Sequence, residues 1–450
     1  MRLPILVAAW NLSSHLTSRL QVHSLSRQHR ENHGSHPRKH HRRTSVECTN
    51  ATDRADGALA AFRDLLEEIR EQSAVEMRRG HHGNGLYLTR SVIQGEVIMR
   101  VPMEYCLVVN YDGDGLSLPN FAWPRLREAV QDNPELPWDL LLAVALLDAY
   151  AGDGGAFWQH YARELLPAPA SLSLPFCLPQ DLLEELQHEE VLVGAQKQQE
   201  RLTAMLPQHA QPTSPSGCTW MQWAFACVRS RVFQLGPGFY AFVPFMDMAN
   251  HALPPVAAFR PHGNAVELVA IADATEGDEA TISYAPLEGH SNQRLMQQYG
   301  FVIEGGNPAD RLHFTTDQAD SDAPDRPSEP DETLSLARIE YLLGDQIFLG
   351  MMAGEHPYLT AAIKSLPLRE GGNPGDPVPV QERQLAERLI STCEEILQGG
   401  GTTLEEDCSS RDGAADARMA AALTYRIERK ALARTAHALL TSYIADRAML

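Results

Sequence analysis

Between about residues 116 and 230 this 450-residue chain changes its period, and that change constrains the fold more than any other feature. Before it, "GLYLTRSV" and "GEVIMRVP" alternate apolar and polar residues as short strands do, divided by the turn "IQG". After it, "YAFVPFMDM", "NAVELVAIA" and "DEATISY" read as strands again. Within it, "WDLLLAVALLDAY", "QDLLEELQHEEVLVGAQKQQERL" and "CTWMQWAFACVRSRVF" carry the 3.6-residue period of helices. A helical block inserted between two β regions predicts an α+β chain whose strands, from either side of the block, join into one sheet system.

Helices are expected at both ends of this region. Residues 57 to 71, "GALAAFRDLLEEIRE", set Leu59, Phe62, Leu66 and Ile69 on one helical face. After His313 the stretch "TTDQADSDAPDRPSEPDE" is acidic, rich in proline and nearly free of apolar residues, so it cannot contribute a core and reads as a linker over 316–332. Beyond it, "TLSLARIEYLLGDQIFLGMM", "QERQLAERLISTCEEILQ" and "ARMAAALTYRIERKALARTAHALLTSYIADRAML" are amphipathic, and an all-α domain is expected over 333–450.

Composition excludes some function classes. A formal net charge of -20 is the wrong sign for a phosphate-binding surface, which needs clustered Lys and Arg. The seven cysteines are odd in number, scattered and without a C-x-x-C pair, which argues against a disulfide framework and a structural zinc site. No metal centre is therefore expected. The acidity is interrupted only at the start, where residues 1–48 are rich in Arg, His and Ser and carry almost no acid. Such a segment, taken as residues 1–50, predicts an organelle transit peptide; the alternatives are a disordered basic leader or a nuclear signal at "HPRKHHRR".

Two short stretches are candidates for chemistry. In "FMDMANHALPP" a strand ends in Asp247, Asn250 and His251 just before two prolines. Residue types alone leave open whether these side chains cap a turn or hold a ligand. In "GHHGNGLYL" strands follow the glycines, whereas a phosphate-cradling loop needs a helix there. Gly83, Asn84 and Gly85 are read as a tight loop, either an ordinary turn or one whose backbone approaches a ligand.

Taken together, "HGNGLYLTRSVIQGEVIMRVP", "RSRVF", "VPFMDMANH", "GDEATISY" and "SNQRLMQQYGF" resemble, in order and approximate spacing, the SET-domain protein methyltransferases. They look most like the branch of the Rubisco large-subunit lysine methyltransferases and the related actin-histidine methyltransferases. The resemblance implies a β-rich SET domain over 51–315 with its helical insertion at about 116–230, followed by the helical domain 333–450 as a substrate-binding domain. It also implies S-adenosyl-L-methionine (SAM) as cofactor and a lysine in a non-histone protein as target. Protein-histidine methylation and an inactive SET-scaffold binding protein are the alternatives. With a transit peptide, the implied location is the chloroplast, the alternatives being cytoplasm or nucleus, and the implied substrate is the Rubisco large subunit or another plastid protein. A monomer without nucleic-acid or membrane partners is expected.

Residue by residue, the resemblance implies that Tyr284 is catalytic. Cofactor contacts fall on His82, Gly83, Asn84, Arg231, Asp247, Asn250, His251, Tyr299, Gly300 and Phe301, and substrate contacts on Arg231, Phe233, Asp247 and Tyr299. Arg231 would pair with the cofactor carboxylate as a guanidinium fork. His82 departs from the acidic residue the family often has there. Phe233 stands where histidine-methylating relatives have a polar side chain, which favours lysine. The link "APLEGH" after Tyr284 is longer than usual and would reshape one wall of the substrate channel.

Overall fold

A computed structural model describes residues 73–80, 83–112, 115–117, 123–209, 211–213, 217–284, 289–307, 309–310 and 380–448. The leader, the helix expected at 57–71, His82, the first residues of the "APLEGH" link, the acidic linker and the helix expected from Thr333 lie outside them.

In chain order the strands are β1 (Val75–Gly80), β2 (Gly83–Leu88), β3 (Val97–Pro102), β4 (Leu107–Asp112), β5 (Gly115–Ser117), β6 (Phe233–Gly236), β7 (Phe239–Phe242), β8 (Ala257–His262) and β9 (Ala265–Ala270). The α-helices are α1 (Pro124–Asp132), α2 (Trp138–Ala151), α3 (Gly155–His160), α4 (Gln180–Glu184), α5 (Glu189–Met205), α6 (Trp220–Arg231), α7 (Asn292–Tyr299), α8 (Val380–Gln398), α9 (Leu404–Asp412) and α10 (Ala417–Ala448). The chain is α+β. No single helix among the described residues is long and apolar enough to cross a membrane.

Contacts divide the chain into two units, Met1–Leu166 with Cys227–Tyr284, and Pro167–Ala226 with Ala285–Leu450. In the first, strands from either side of the helical block do pair: β3 joins β9 and β8, and β4, with β5 on its outer side, joins β7 and β6. The expected single sheet system is three separate antiparallel sheets, the third being the hairpin of β1 and β2. β1 was not anticipated, because "VEMRRG" lacks a clear alternation; its register is set by β2, from Val75 opposite Leu88 to Gly80 opposite Gly83. β9 is buried along its whole length. Its one acid, Glu267, is paired directly across the strands with Arg260, whose Nε and Nη2 both donate to Oε2 at 3.0 and 2.8 Å, so the buried charge is compensated.

"DEATISY" is not a regular strand. It reaches a different neighbour every residue or two: Asp278 O accepts from Leu88 N–H, Ala280 N–H donates to Leu86 O, and Ile282 N–H donates to Asn250 O. Helix α2 is buried from Asp139 to Ala149, which explains why "WDLLLAVALLDAY" is apolar all round.

In the second unit the run "QDLLEELQHEEVLVGAQKQQERL" breaks into α4 and α5. Gln187 takes φ 48°, and His188 Nδ1 lies 2.6 Å from the Tyr425 hydroxyl of α10. The α10 helix buries Ala422, Leu423, Tyr425, Ile427, Leu432, Ala433 and Ala436, and α8 contributes Cys393 and Ile396 to the buried set.

Candidate functional site

The site grows out of the end of β7. After Val243 and Pro244, Phe245 adopts φ 68°, a left-handed conformation rare for a residue with a side chain. One 3-10 turn over Met246–Met248 follows, with Asp247 N–H bonded to Val243 O at 3.2 Å. The chain then leaves as Ala249, Asn250 and His251 and runs parallel to the segment ending in Tyr284. Ile282 N–H donates to Asn250 O and Ala252 N–H to Ile282 O, both at 2.9 Å. The Tyr284 hydroxyl donates to Ala249 O at 2.6 Å. His251 Nδ1 lies 3.1 Å from the Tyr284 amide nitrogen and 3.2 Å from Ile282 O, so its tautomer decides which bond is made. The polar cluster that ends the strand is therefore more than a set of turn caps. It is stitched, backbone to backbone, to the tyrosine segment.

Behind this junction lies an ionic network centred on the buried Asp247. Arg231, at the end of α6, places Nη1 2.9 Å from Asp247 Oδ2 and 3.0 Å from Asp247 O. Tyr161 donates its hydroxyl to Asp247 Oδ1 and accepts the Phe245 N–H at 2.8 Å. The Asp247 side chain has no exposed surface. Burial pushes its carboxyl above the ordinary carboxylate range, against the pull of Arg231 and Tyr161. Burial, and then the Asp247 carboxylate, hold the Tyr161 phenol well above its usual range. For Arg231, burial is the largest single effect and works against the charge, but the Asp247 carboxylate together with Cys227, Tyr161 and Tyr284 outweighs it and holds the guanidinium above its ordinary range.

A second polar junction ties the β1–β2 hairpin in. Asn250 Nδ2 donates to Glu279 Oε1 at 2.7 Å and to Asn84 O at 3.2 Å. Gly83 has φ 92°, a value glycine adopts freely. Gly85 lies hard against the Asn250 and Glu279 side chains. Phe233 is buried and packs edge-on against Phe259, ring centroids 5.0 Å apart.

The first unit thus brings together Gly83, Asn84, Arg231, Asp247, Asn250, His251 and Tyr284, with Phe233 in β6. Tyr299, Gly300 and Phe301 belong to the second unit. There Gly300 caps α7 at φ 78°, its carbonyl accepts from Ser173 Oγ at 2.5 Å, and the Tyr299 and Phe301 rings lie 6.1 Å apart. Arg231, expected to pair its fork with a ligand carboxylate, commits Nη1 to Asp247 within the chain, and Asp247 is buried. Sequence reasoning missed Tyr161, Phe245 and Glu279. Glu279 sits inside the quoted "GDEATISY", where a carboxylate among small residues could have been singled out. Tyr161, in "FWQHYARELL", offers no pattern that separates it from the neighbouring aromatics.

This assembly is the SET-domain fold. The chain is similar in fold to the SET domain of LSMT bound to lysine and AdoHcy, with a TM-score of 0.57 at 18% identity, covering 88% of this chain and 93% of that one. A structure of Rubisco LSMT bound to sinefungin and monomethyllysine matches at 0.56 and 19%, covering 87% and 93%. In sequence, the mouse "SET domain-containing protein 4" is 26% identical over 245 residues, 49% of this chain. The chain spans about half the length of that curated relative, 52% of it. No family model matches. The family resemblance carried by the five motifs and the fold found in three dimensions agree.

Proposed function

We propose that this chain is a SAM-dependent protein-lysine N-methyltransferase acting on a non-histone protein. The observation that carries the reading is the junction of Ala249–Ala252 with Ile282–Tyr284, which sets the Tyr284 hydroxyl on the Ala249 carbonyl inside a SET fold. The structural neighbours support it, being LSMT structures bound to AdoMet, AdoHcy, lysine and methyllysine.

The residues present fit the cofactor. Arg231 commits Nη1 to Asp247 but keeps a buried Nε with no hydrogen-bond partner among the described residues, a donor suited to a carboxylate. Gly83 leaves open space where a side chain would stand. Asn84, Asn250 and His251 offer backbone groups beside it, and Asp247 anchors the arginine. SAM, when bound, supplies a methyl group on a sulfonium.

The rest is positioning. The Tyr284 hydroxyl is held on Ala249 O, and a phenol oxygen can accept as well as donate, so it can take an N–H of the incoming amine and aim the nitrogen lone pair. The amine must arrive unprotonated, and an apolar surrounding such as the Phe233–Phe259 pair lowers an amine pKa from its ordinary value of about 10.4. The plastid location rests on the composition of residues 1–48, and the Rubisco large subunit or another plastid protein as substrate on that location and the family resemblance; the lack of nucleic-acid partners rests on charge.

Incubating the protein with methyl-labelled SAM and a plastid extract, then sequencing the labelled peptides, tests the reading. Label on a lysine is expected. Label on histidine alone, or no label together with no calorimetric SAM binding, overturns it.

A further inference from the structure

The Tyr161 hydroxyl is fully buried and makes two bonds, donating to Asp247 Oδ1 and accepting the Phe245 N–H at 2.8 Å. Those two partners are the strained start and the charged middle of the turn from which Asn250 and His251 leave. A left-handed Phe245 persists only where its surroundings over-determine it. Here its amide is tied to a phenol whose ring is buried and packed on several sides. Tyr161 packs edge-on against Trp158 at 5.3 Å, Phe245 at 5.2 Å and Phe242 at 6.5 Å between centroids. It also opens a π-turn over Tyr161–Leu165, closed by Leu166 N–H on Tyr161 O at 3.3 Å, a local geometry often associated with functional sites.

The direction of the hydrogen bonds is fixed as well. The Phe245 N–H occupies the phenol oxygen as a donor, which leaves the hydroxyl proton to Asp247, and burial with the adjacent carboxylate pushes the phenol pKa up in the same sense. Asp247 then holds Arg231 with the oxygen that remains, at 2.9 Å.

We propose that Tyr161 is a positioning residue of this site: its hydroxyl holds the Phe245–Met248 turn and the Asp247 carboxylate where Arg231 and the Asn250–His251 pair can act on the cofactor. The inference rests on the methyltransferase reading above.

Its test is Tyr161→Phe, which removes the hydroxyl and keeps the ring. The KM for SAM should rise about 10-fold, the loss expected for one hydrogen bond to a charged group, while kcat stays within about 3-fold. Trp158→Phe, which loosens the same aromatic cluster but leaves the Tyr161 hydroxyl and both of its bonds in place, should leave the KM unchanged. Placing 4-aminophenylalanine at 161 restores a donor to Asp247 and should return the KM to within about 3-fold of wild type. An unchanged KM in Tyr161→Phe, or an equal rise in Trp158→Phe, overturns the inference. So does a folded aminophenylalanine protein that binds SAM about 10-fold more weakly, even where Tyr161→Phe does not fold. A wild-type protein that gives no SAM binding in calorimetry would instead overturn the methyltransferase reading, and this inference with it.

Discussion

The Asn250 side-chain amide donates to the Glu279 carboxylate at 2.7 Å, and a Cβ added to Gly85 would stand 2.9 Å from that amide nitrogen and collide with the carboxylate. The glycine is therefore required by what packs against it, since its own backbone is not left-handed. Because Glu279 Oε1 is the end of a flexible side chain, Gly85→Ala should fold and displace the carboxylate from Asn250. Loss of that charge-assisted bond should weaken SAM binding about 10-fold. Calorimetry checks it; undiminished affinity would mean that Glu279 does not orient Asn250.

Tyr284 has a different task. Tyr284→Phe deletes one hydroxyl, leaves the backbone bonds of the segment in place, and removes the acceptor proposed to aim the amine. The methylation rate should fall by about 100-fold or more while SAM affinity changes little. Single-turnover rates on a lysine peptide, beside calorimetric affinities, separate the two effects. A wild-type rate would remove Tyr284 from the chemistry.

Arg231 ties binding to stability. Its guanidinium is the ion-pair partner of Asp247, whose side chain has no exposed surface, so Arg231→Ala strands a buried carboxylate. Breaking one side of such a pair is expected to destabilise the fold by about 3–5 kcal/mol, in addition to any loss of SAM affinity. Adding Asp247→Asn should recover part of that loss, because the stranded charge is gone. Urea melts of the two single variants and the double variant give the coupling. Additive losses would show that the pair is not coupled in solution.

Much of this arrangement was legible from local pattern, and the part that was not has a common cause. The 3.6 period marked α5 and α10, and apolar runs marked α2 and β9, which are buried along nearly their whole length. Motif order put Asn250, His251 and Tyr284 in one site. Period alone could not show the break before α5, where Gln187 turns left-handed and His188 meets Tyr425, more than two hundred positions away. Nor could it show that "DEATISY" divides its bonds among several neighbours, or that Tyr161 reaches Asp247 across 86 positions. In each case a long-range partner outranks the local preference.

The second unit makes a pH-dependent prediction of its own. Asp407, fully buried, accepts from Arg426 Nη2 at 2.6 Å and pairs with Lys430 Nζ at 2.9 Å, and both cations are themselves almost entirely buried. Burial alone would push the Asp407 carboxyl up, but the bonds from Lys430, Arg426 and Thr402 outweigh it and hold it below the ordinary range. A carboxyl held lower in the folded chain than in the unfolded one contributes stability that is complete above the unfolded pKa, about 3.9, and is lost as pH falls through the folded value. Asp407→Asn keeps the shape and removes the charge, leaving Arg426 its bond to the more exposed Glu185 at 2.7 Å and Lys430 its bond to Thr402 O at 2.6 Å. It should lower stability by about 3 kcal/mol or more at neutral pH. Urea midpoints of wild type and variant should differ by the same amount from pH 7 to pH 5 and converge below about pH 4, as wild type loses what the variant never had. A gap that is absent at pH 7, or that persists unchanged to pH 3, would show that Asp407 does not neutralise these two cations in the folded chain.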